Sequence, residues 1–324
     1  MKPERRNGKK VHFKKYRLLN GSTETLVERV GDGSIITRFD RTPIPHKKND
    51  VVCPHFLELK WATGCPYSCA WCYLQGTLRF QENGTKPRPK DFSRVKQHLT
   101  ALFDGDGCKP ELLNTGELSD SFITEHRKTP FSRFVMELMS TQKQHKVLFV
   151  TKSSHIDNLL EVDNKDQAIV SFSLNAEPVA ARWEKAPSVT ERINAAGLLK
   201  DAGYEVRVRI DPMVPIENWE TAYSDLVDKL FLRFKPDRIT LGSLRGLQST
   251  INNSRDRSWT QYLGESSNWG KKPPILIRES MYASVIDQLR KDFGFRKVAL
   301  CKETIETWKT VKMDYTKIKC NCTK

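Results

Sequence analysis

Three cysteines, Cys65, Cys69 and Cys72, constrain this chain more than any other feature of it. They stand in Cys65-Pro66-Tyr67-Ser68-Cys69-Ala70-Trp71-Cys72, directly after a strand-like run at 56–63. Thiolates this close in sequence are carried by one loop, and such a loop can hold three corners of an iron–sulfur cube. A [4Fe–4S] cluster normally takes four cysteine thiolates, so a loop that supplies three leaves one iron open for another ligand. A structural zinc site would pair two such clusters or add histidines at helical spacing, and neither stands nearby. A disulfide framework belongs to small secreted domains, whereas this chain has 324 residues.

That length suits one large α/β domain with appendages, or two small domains. Hydrophobic residues are 38% and charged residues 29%, the balance of a globular protein rather than a disordered one. The eight cysteines are too few and too unevenly spread for a disulfide scaffold, and they fit a reducing cytoplasm. No apolar run approaches the ~20 residues that span a membrane, and the basic N-terminus has no apolar core, so neither a membrane partner nor a secretory signal is expected. The formal charge of +15 favours polyanions, because each Lys or Arg that neutralises a phosphate releases a counterion. Nucleic acid is the obvious partner, and an acidic small molecule is the alternative.

Along the chain, residues 1–50 read as a basic appendage. Eight of the first seventeen residues are Lys or Arg, with Phe13 and Tyr16 interleaved. Such a mix either grips a phosphate backbone and stacks on bases or is a solvated tail. Gly31-Asp32-Gly33 marks the turn of a small hairpin. From residue 56 the pattern alternates. Strands are expected at 56–63, 111–115, 146–151, 168–174, 205–210 and 238–241, and helices at 93–102, 132–141, 155–161, 189–202 and 219–234. Strands separated by helices imply parallel βαβ units, whose ligand sites lie beyond the C-terminal strand ends. The cysteine loop follows the first such end. Polar residues follow the others: Gly116, Glu117, Ser119 and Asp120; Lys152 and Ser153; Ser171, Ser173 and Asn175; Arg209 and Asp211. Each alone is a cap or a loop hydrogen bond, but together they describe a site for a polar cofactor.

The cysteine motif, with aromatic Trp71 before the third cysteine, resembles that of the radical S-adenosylmethionine (radical SAM) enzymes. That resemblance implies SAM on the open iron and its cleavage to a 5′-deoxyadenosyl radical that abstracts hydrogen from substrate. Within that superfamily the chain resembles the spore photoproduct lyase branch, which repairs a thymine dimer in DNA. The likeness is carried by Cys69-Ala70-Trp71-Cys72-Tyr73-Leu74-Gln75-Gly76-Thr77, by Leu148-Phe149-Val150-Thr151-Lys152-Ser153-Ser154-His155-Ile156-Asp157-Asn158-Leu159-Leu160, and by Phe172-Ser173-Leu174-Asn175 and Ala202-Gly203-Tyr204. It covers about residues 56–250 and implies a partial (β/α)6 barrel, with 1–50 as N-terminal appendage, 51–250 as barrel, and 251–324 as a substrate-side segment and cysteine-containing tail. Lys152, Ser173 and Ser119 match SAM-binding positions. Gly116-Glu117 resembles the motif that receives the methionine amino group, a role that suits a carboxylate. With Trp71, Asn175 and Arg209 these make up the expected cofactor-binding set, and Cys65, Cys69 and Cys72 the expected metal ligands.

Two departures bear on activity. The lyases carry a hydrogen-donor cysteine where this chain has Glu117, and tyrosine where it has Trp71, although the following Tyr73 is kept. Cys108, in a Gly/Asp loop, or the tail cysteines Cys320 and Cys322 are the substitutes. Two thiols on a flexible end either quench a radical, bind metal with Cys301 or Cys53, or do nothing. Tyr73 and Cys322 are thus the candidate catalytic residues. In 251–274, Arg255, Arg257, Trp259, Tyr262, Trp269, Lys271 and Lys272 interleave charge and aromatics in a manner suited to a nucleic-acid backbone and an extruded base. The expected function is radical modification or rearrangement of a thymine-type base or its 5-substituent in DNA, as in DNA hypermodification, with a donor such as flavodoxin or ferredoxin supplying the electron. Dimer repair with a relocated hydrogen donor is the alternative. A second is radical modification of a peptide or small molecule.

Overall fold

The computed structural model describes residues 9–324, so Lys2, Arg5 and Arg6 of the basic N-terminal run lie outside the described residues. Ten strands form one sheet. In chain order they are β1 (Val11–Arg17), β2 (Thr23–Val30), β3 (Ile36–Phe39), β4 (Phe56–Leu59), β5 (Leu112–Asn114), β6 (Lys146–Thr151), β7 (Ala168–Leu174), β8 (Glu205–Met213), β9 (Arg238–Ser243) and β10 (Val298–Leu300). Their spatial order follows the sequence from β1 to β10. The first four pair antiparallel, and from β4 to β10 every ladder is parallel. The sheet is open, with β1 and β10 at its edges, as a partial barrel requires.

Parallel neighbours need a crossover, and helices provide it. The main ones are α1 (Phe92–Phe103), α2 (Phe131–Met139), α3 (Val189–Asp201), α4 (Trp219–Arg233) and α5 (Ile275–Lys291). Helix α3 starts at a capping box, in which Ser188 and Glu191 each satisfy a backbone N–H of the other. All seven residues of β7 are buried, because helices cover one face and the barrel interior lies on the other. Val170, Phe172 and Leu174 join the main core under the helices. Ile169 packs inward on Leu112 and Leu148. The ladder then places Ser171 and Ser173 on the same inner face, beside Arg207 and Arg209 of β8. The interior is therefore apolar at its floor and polar toward the C-terminal strand ends.

The structure departs from the sequence expectations at both ends of the chain. Residues 11–39, within the expected basic appendage, join the main sheet: β2 and β3 form the hairpin expected at Gly31-Asp32-Gly33, and β3 pairs along β4 from Ile36–Leu59 to Phe39–Phe56. Tyr16 is buried against His55, ring centroids 5.0 Å apart, and so is not free to stack on a base. The last strand, β10, pairs with β9 as a seventh parallel strand; its three-residue run was too short to read.

The tail is not a loose end either. Residues 320–323 thread into the barrel interior, where Asn321 is fully buried. The Asn321 Nδ2 donates to Ser171 Oγ at 2.8 Å and to the Val208 carbonyl at 2.9 Å, and its Oδ1 accepts from Thr240 Oγ1 at 2.8 Å. Arg207 and Arg238 donate to the carbonyls of Asn321 and Cys320 at 2.8 and 2.6 Å. One amide thus ties the tail to three strands. Replacing Asn321→Ala leaves these partners buried and unpaired, and a loss of about 2–3 kcal/mol in unfolding free energy is expected in a urea titration. A loss below ~0.5 kcal/mol would show that the tail does not hold the barrel.

Candidate active site

The three-cysteine loop leaves the end of β4 through Gly64, whose φ of +81° and whose hypothetical Cβ, 2.2 Å from the Lys86 carbonyl, admit only glycine. Ser119 Oγ donates to the Gly64 carbonyl at 2.7 Å, so the loop after β5 fixes the entry of the loop after β4. Further along, the Ala70 N–H donates to the Trp183 carbonyl at 2.9 Å, and Ser254 Oγ to the Ala70 carbonyl at 2.7 Å. Gln75 Nε2 donates to the carbonyls of Cys69 and Ala70, both at 2.9 Å. Three segments far apart in sequence, with the adjoining Gln75, therefore hold one loop.

Cys69 is buried, Cys65 and Cys72 half-buried. Burial pushes all three thiols up, Cys69 to about 12, so ligation here displaces protons. Cys65, Cys69 and Cys72 together line one small cavity beneath the loop. Yet among the described residues no three His, Cys, Asp or Glu side chains converge on a single-ion position. Neighbouring thiols that do not converge fit three corners of a cube better than one zinc ion.

Cys69 and Cys72 open onto a cavity of about 410 Å³ over the C-terminal strand ends. Of the expected cofactor residues, Trp71, Gly116, Glu117, Lys152, Ser173 and Arg209 all line it, as do both candidate catalytic residues, Tyr73 and Cys322. The Tyr73 hydroxyl donates to the Glu117 carbonyl, and Asn114 Nδ2 to Glu117 Oε1 at 3.3 Å. Ser119 and Asn175 stand apart from the lining. Ser119 holds Gly64, while Asn175 Nδ2 donates to the Pro212 carbonyl at 2.8 Å and its Oδ1 accepts from Tyr223 at 2.9 Å.

Lys152 belongs to a group the sequence did not reveal. Its Nζ lies 2.7 Å from Glu184 Oε1, and Arg192 Nη1 lies 2.9 Å from Glu184 Oε2. Burial pushes the Glu184 carboxyl up, but Lys152 and Arg192 outweigh it, so the group is held below the usual carboxylate range. A lone glutamate after a tryptophan and an arginine in the first turn of α3 carry no signal of this pairing. Across the cavity Arg245 grips Asp211 with two bonds of 2.7 and 2.8 Å. Burial raises Asp211, yet Arg245 dominates and holds it at about 2.

Four cysteines outside the loop, Cys53, Cys301, Cys320 and Cys322, also line this cavity. Arg209 Nη2 donates to Cys322 Sγ at 3.0 Å. The neighbouring Cys320 thiol, and then Arg209, hold the Cys322 thiol below its usual range against the effect of burial. Cys108 does not reach the site: it precedes β5, at the opposite rim, and packs at Gly105 and Val11. Of the basic and aromatic residues in 251–274, Trp269 lines the cavity with Lys302 Nζ 3.6 Å over its ring. Trp259 is core, and Lys272 is buried on Glu303 at 3.2 Å, so neither is available to a nucleic acid.

A model of the spore photoproduct lyase family matches residues 55–241. The chain belongs to that family. It is 30% identical over 176 residues to spore photoproduct lyase of Bacillus subtilis (strain 168), covering 53% of this chain and 50% of that protein. The corresponding lyase of Geobacillus sp. (strain Y412MC61) is 29% identical over 177 residues, covering 52% and 49%. The chain thus spans about half the length of the curated relatives it matches. Among solved structures, a mutant spore photoproduct lyase with dinucleoside spore photoproduct superposes with a TM-score of 0.63 at 19% identity, over 81% of this chain and 79% of that one. Another, with S-adenosylmethionine and the same dinucleoside bound, gives 0.62 at 19% identity over the same shares. The fold is that of the lyases, a mostly parallel α/β sheet, and the chain is a radical SAM protein of lyase-like type.

Gly242 offers a test of the far wall. A Cβ there would lie 2.4 Å from Asp211 Oδ1, so Gly242→Ala forces the carboxylate off Arg245. Breaking a buried pair in this way is expected to cost about 3 kcal/mol in denaturant unfolding. A cost under ~1 kcal/mol would mean that the Asp211–Arg245 pair does not brace the cavity.

Proposed function

We propose that this chain is a radical SAM enzyme acting on a thymine-type pyrimidine of DNA, and that it modifies or rearranges the base or its 5-substituent, as in DNA hypermodification. The observation that carries this reading is the cavity wall. Six cationic residues, Arg41, Lys60, Lys152, Arg209, Arg245 and Lys302, face three carboxylates, Glu58, Glu117 and Asp211. Among the described ion pairs, Arg41, Arg209 and Lys302 enter none, which leaves charge for an anionic ligand. Phe39 and Trp269 add aromatic surface to this wall, and Lys302 Nζ stands 4.2 and 3.6 Å over their rings, which places its charge at the mouth of an apolar patch. The net charge of +15 supports a polyanion over a neutral peptide.

In this reading Cys65, Cys69 and Cys72 hold a [4Fe–4S] cluster and leave its fourth iron for SAM. When bound, these cofactors supply one-electron cleavage of SAM and, from it, a hydrogen-abstracting carbon radical. The chain's own part is positional. Glu117, with Gly116, receives the methionine ammonium, while Ser173 and Lys152 bound the same side of the cavity and Trp71 flanks the cluster loop. Lys152 reaches that place only because Glu184 compensates its charge. Ser119 and Asn175 act at one remove, by fixing the loops that carry these residues. Arg209, Arg41 and Lys302 hold substrate phosphate, and the buried tail keeps water from the floor. A donor such as flavodoxin or ferredoxin supplies the electron.

Glu117 occupies the position at which the lyases carry their hydrogen-donor cysteine, and this favours a rearrangement, which returns hydrogen from 5′-deoxyadenosine and needs no thiol. One observation supports the rival reading, repair of a thymine dimer: Cys322 lies in the same cavity, 3.6 Å from Asn114 Nδ2. The two are separated by incubating anaerobically reconstituted protein, SAM and dithionite with DNA that is either ultraviolet-irradiated or carries 5-substituted thymines. The expected outcome is 5′-deoxyadenosine formation and an altered nucleoside only with substituted DNA. Thymine regained from irradiated DNA, and lost again in Cys322→Ala, would establish repair instead. SAM cleavage with neither DNA changed would rule out the nucleic-acid assignment.

A further inference from the structure

Eight cysteines occur in the chain, and three of them form the loop after β4. Four of the remaining five meet at one place. Cys53 follows the short strand Val51–Val52, Cys301 follows β10, and Cys320 and Cys322 flank Asn321 in the tail, yet all four line the cavity described above. Local structure explains the meeting. Val52 pairs with Glu303, so the next step of that ladder carries Cys53 alongside the Cys301-Lys302 turn. The Cys301 N–H donates to the Leu241 carbonyl at 2.6 Å, which anchors this turn at the end of β9. The Asn321 network then delivers Cys320 and Cys322 from the barrel interior.

We propose that Cys53, Cys301, Cys320 and Cys322 hold a second iron–sulfur cluster, a fully cysteine-ligated [4Fe–4S] cube, in the wall of the cavity built by the tail and the β9–β10 edge. Four thiolates are the complete ligand set of such a cube, in contrast to the three of the loop after β4. Among the described residues these thiols form no single-ion site of the kind a zinc ion requires. The surroundings supply what cluster sulfurs take up. Arg209 Nη2 stands 3.0 Å and Asn114 Nδ2 3.6 Å from Cys322 Sγ, and Arg245 Nη2 stands 3.9 Å from Cys301 Sγ. N–H donors to sulfur and nearby positive charge are among the groups that set a cluster's potential. A cluster that is anionic as a whole, core and four thiolates together, also gives a reason for Arg209, which enters none of the described ion pairs, to stand this deep in the fold. The order imposed on the tail points the same way. A two-residue step between cysteines, locked by a buried asparagine bonded to three strands, is a device for fixing sulfur positions.

This site shares the cavity wall, and Arg209, with the substrate contacts proposed above. It also bears on hydrogen return: a Cys322 committed to iron has no S–H to give, which removes the thiol that dimer repair would use.

The test is the iron and acid-labile sulfide content of the full chain after anaerobic reconstitution, with Mössbauer spectra to type the clusters. Two cubes of four iron predict about eight iron per chain, falling to about four in the triple variant Cys65→Ala/Cys69→Ala/Cys72→Ala. The same fall to about four is expected in Cys320→Ser/Cys322→Ser, with the conservative serines guarding against collapse of the tail. Combining the two sets should leave almost none. The proposal fails if the wild-type chain holds only about four iron and the serine variant holds the same. It fails equally if the four thiols are found as disulfides or if the triple variant carries zinc in place of iron.

Discussion

Six parallel ladders bring the C-terminal ends of β4 to β10 onto one rim, and the candidate site depends on that constraint. Parallel pairing forbids tight turns, so every strand must return through a helix, and every loop that leaves the rim starts from the same side. A cysteine loop, a Gly-Glu pair, a lysine and an arginine that are far apart in sequence thereby become neighbours. The inner face carries the gradient that makes use of this. Leu112, Leu148 and Ile169 seal the floor, while Ser173, Lys152, Arg209 and Asp211 stand at the rim.

Charge placed in such an interior has to be compensated. Glu184 between Lys152 and Arg192, and Asp211 under Arg245, are buried carboxylates whose neighbours outweigh the cost of desolvation. Such pairs are poor sources of stability in themselves, because burying two charges costs about what their attraction returns. Their use here is to hold cations rigidly beside the cavity. Arg209 is the exception, since it spends one N–H on a sulfur and has no partner for its Nε among the described residues.

Several of these relations could be read from the sequence, and the reason is local periodicity. β6 and β7 lie at 146–151 and 168–174, as their apolar runs predict, and α3 begins at Val189, where the helical pattern at 189–202 puts it. The three-cysteine loop carries its meaning in spacing alone. The tail was opaque for the opposite reason. Asn321 finds Ser171, Val208 and Thr240 at separations of 150, 113 and 81 residues, and no pattern within 320–323 encodes those partners. Trp259 misled in a related way: an aromatic among arginines reads as a surface feature, yet its indole N–H reaches Ser254 Oγ at 3.2 Å inside the core. Side chains that are defined by tertiary partners leave no trace in composition.

The central claim is that one cavity joins a three-thiol cluster loop to a SAM site made by Glu117 and its neighbours at the strand ends. The most direct measurement is the electron paramagnetic resonance spectrum of the reduced, anaerobically reconstituted chain during a titration with SAM. Ligation of the open iron predicts a new signal that grows with SAM, saturates at about one molecule per chain, and is lost in Cys69→Ala. A spectrum that SAM leaves unchanged would contradict the account.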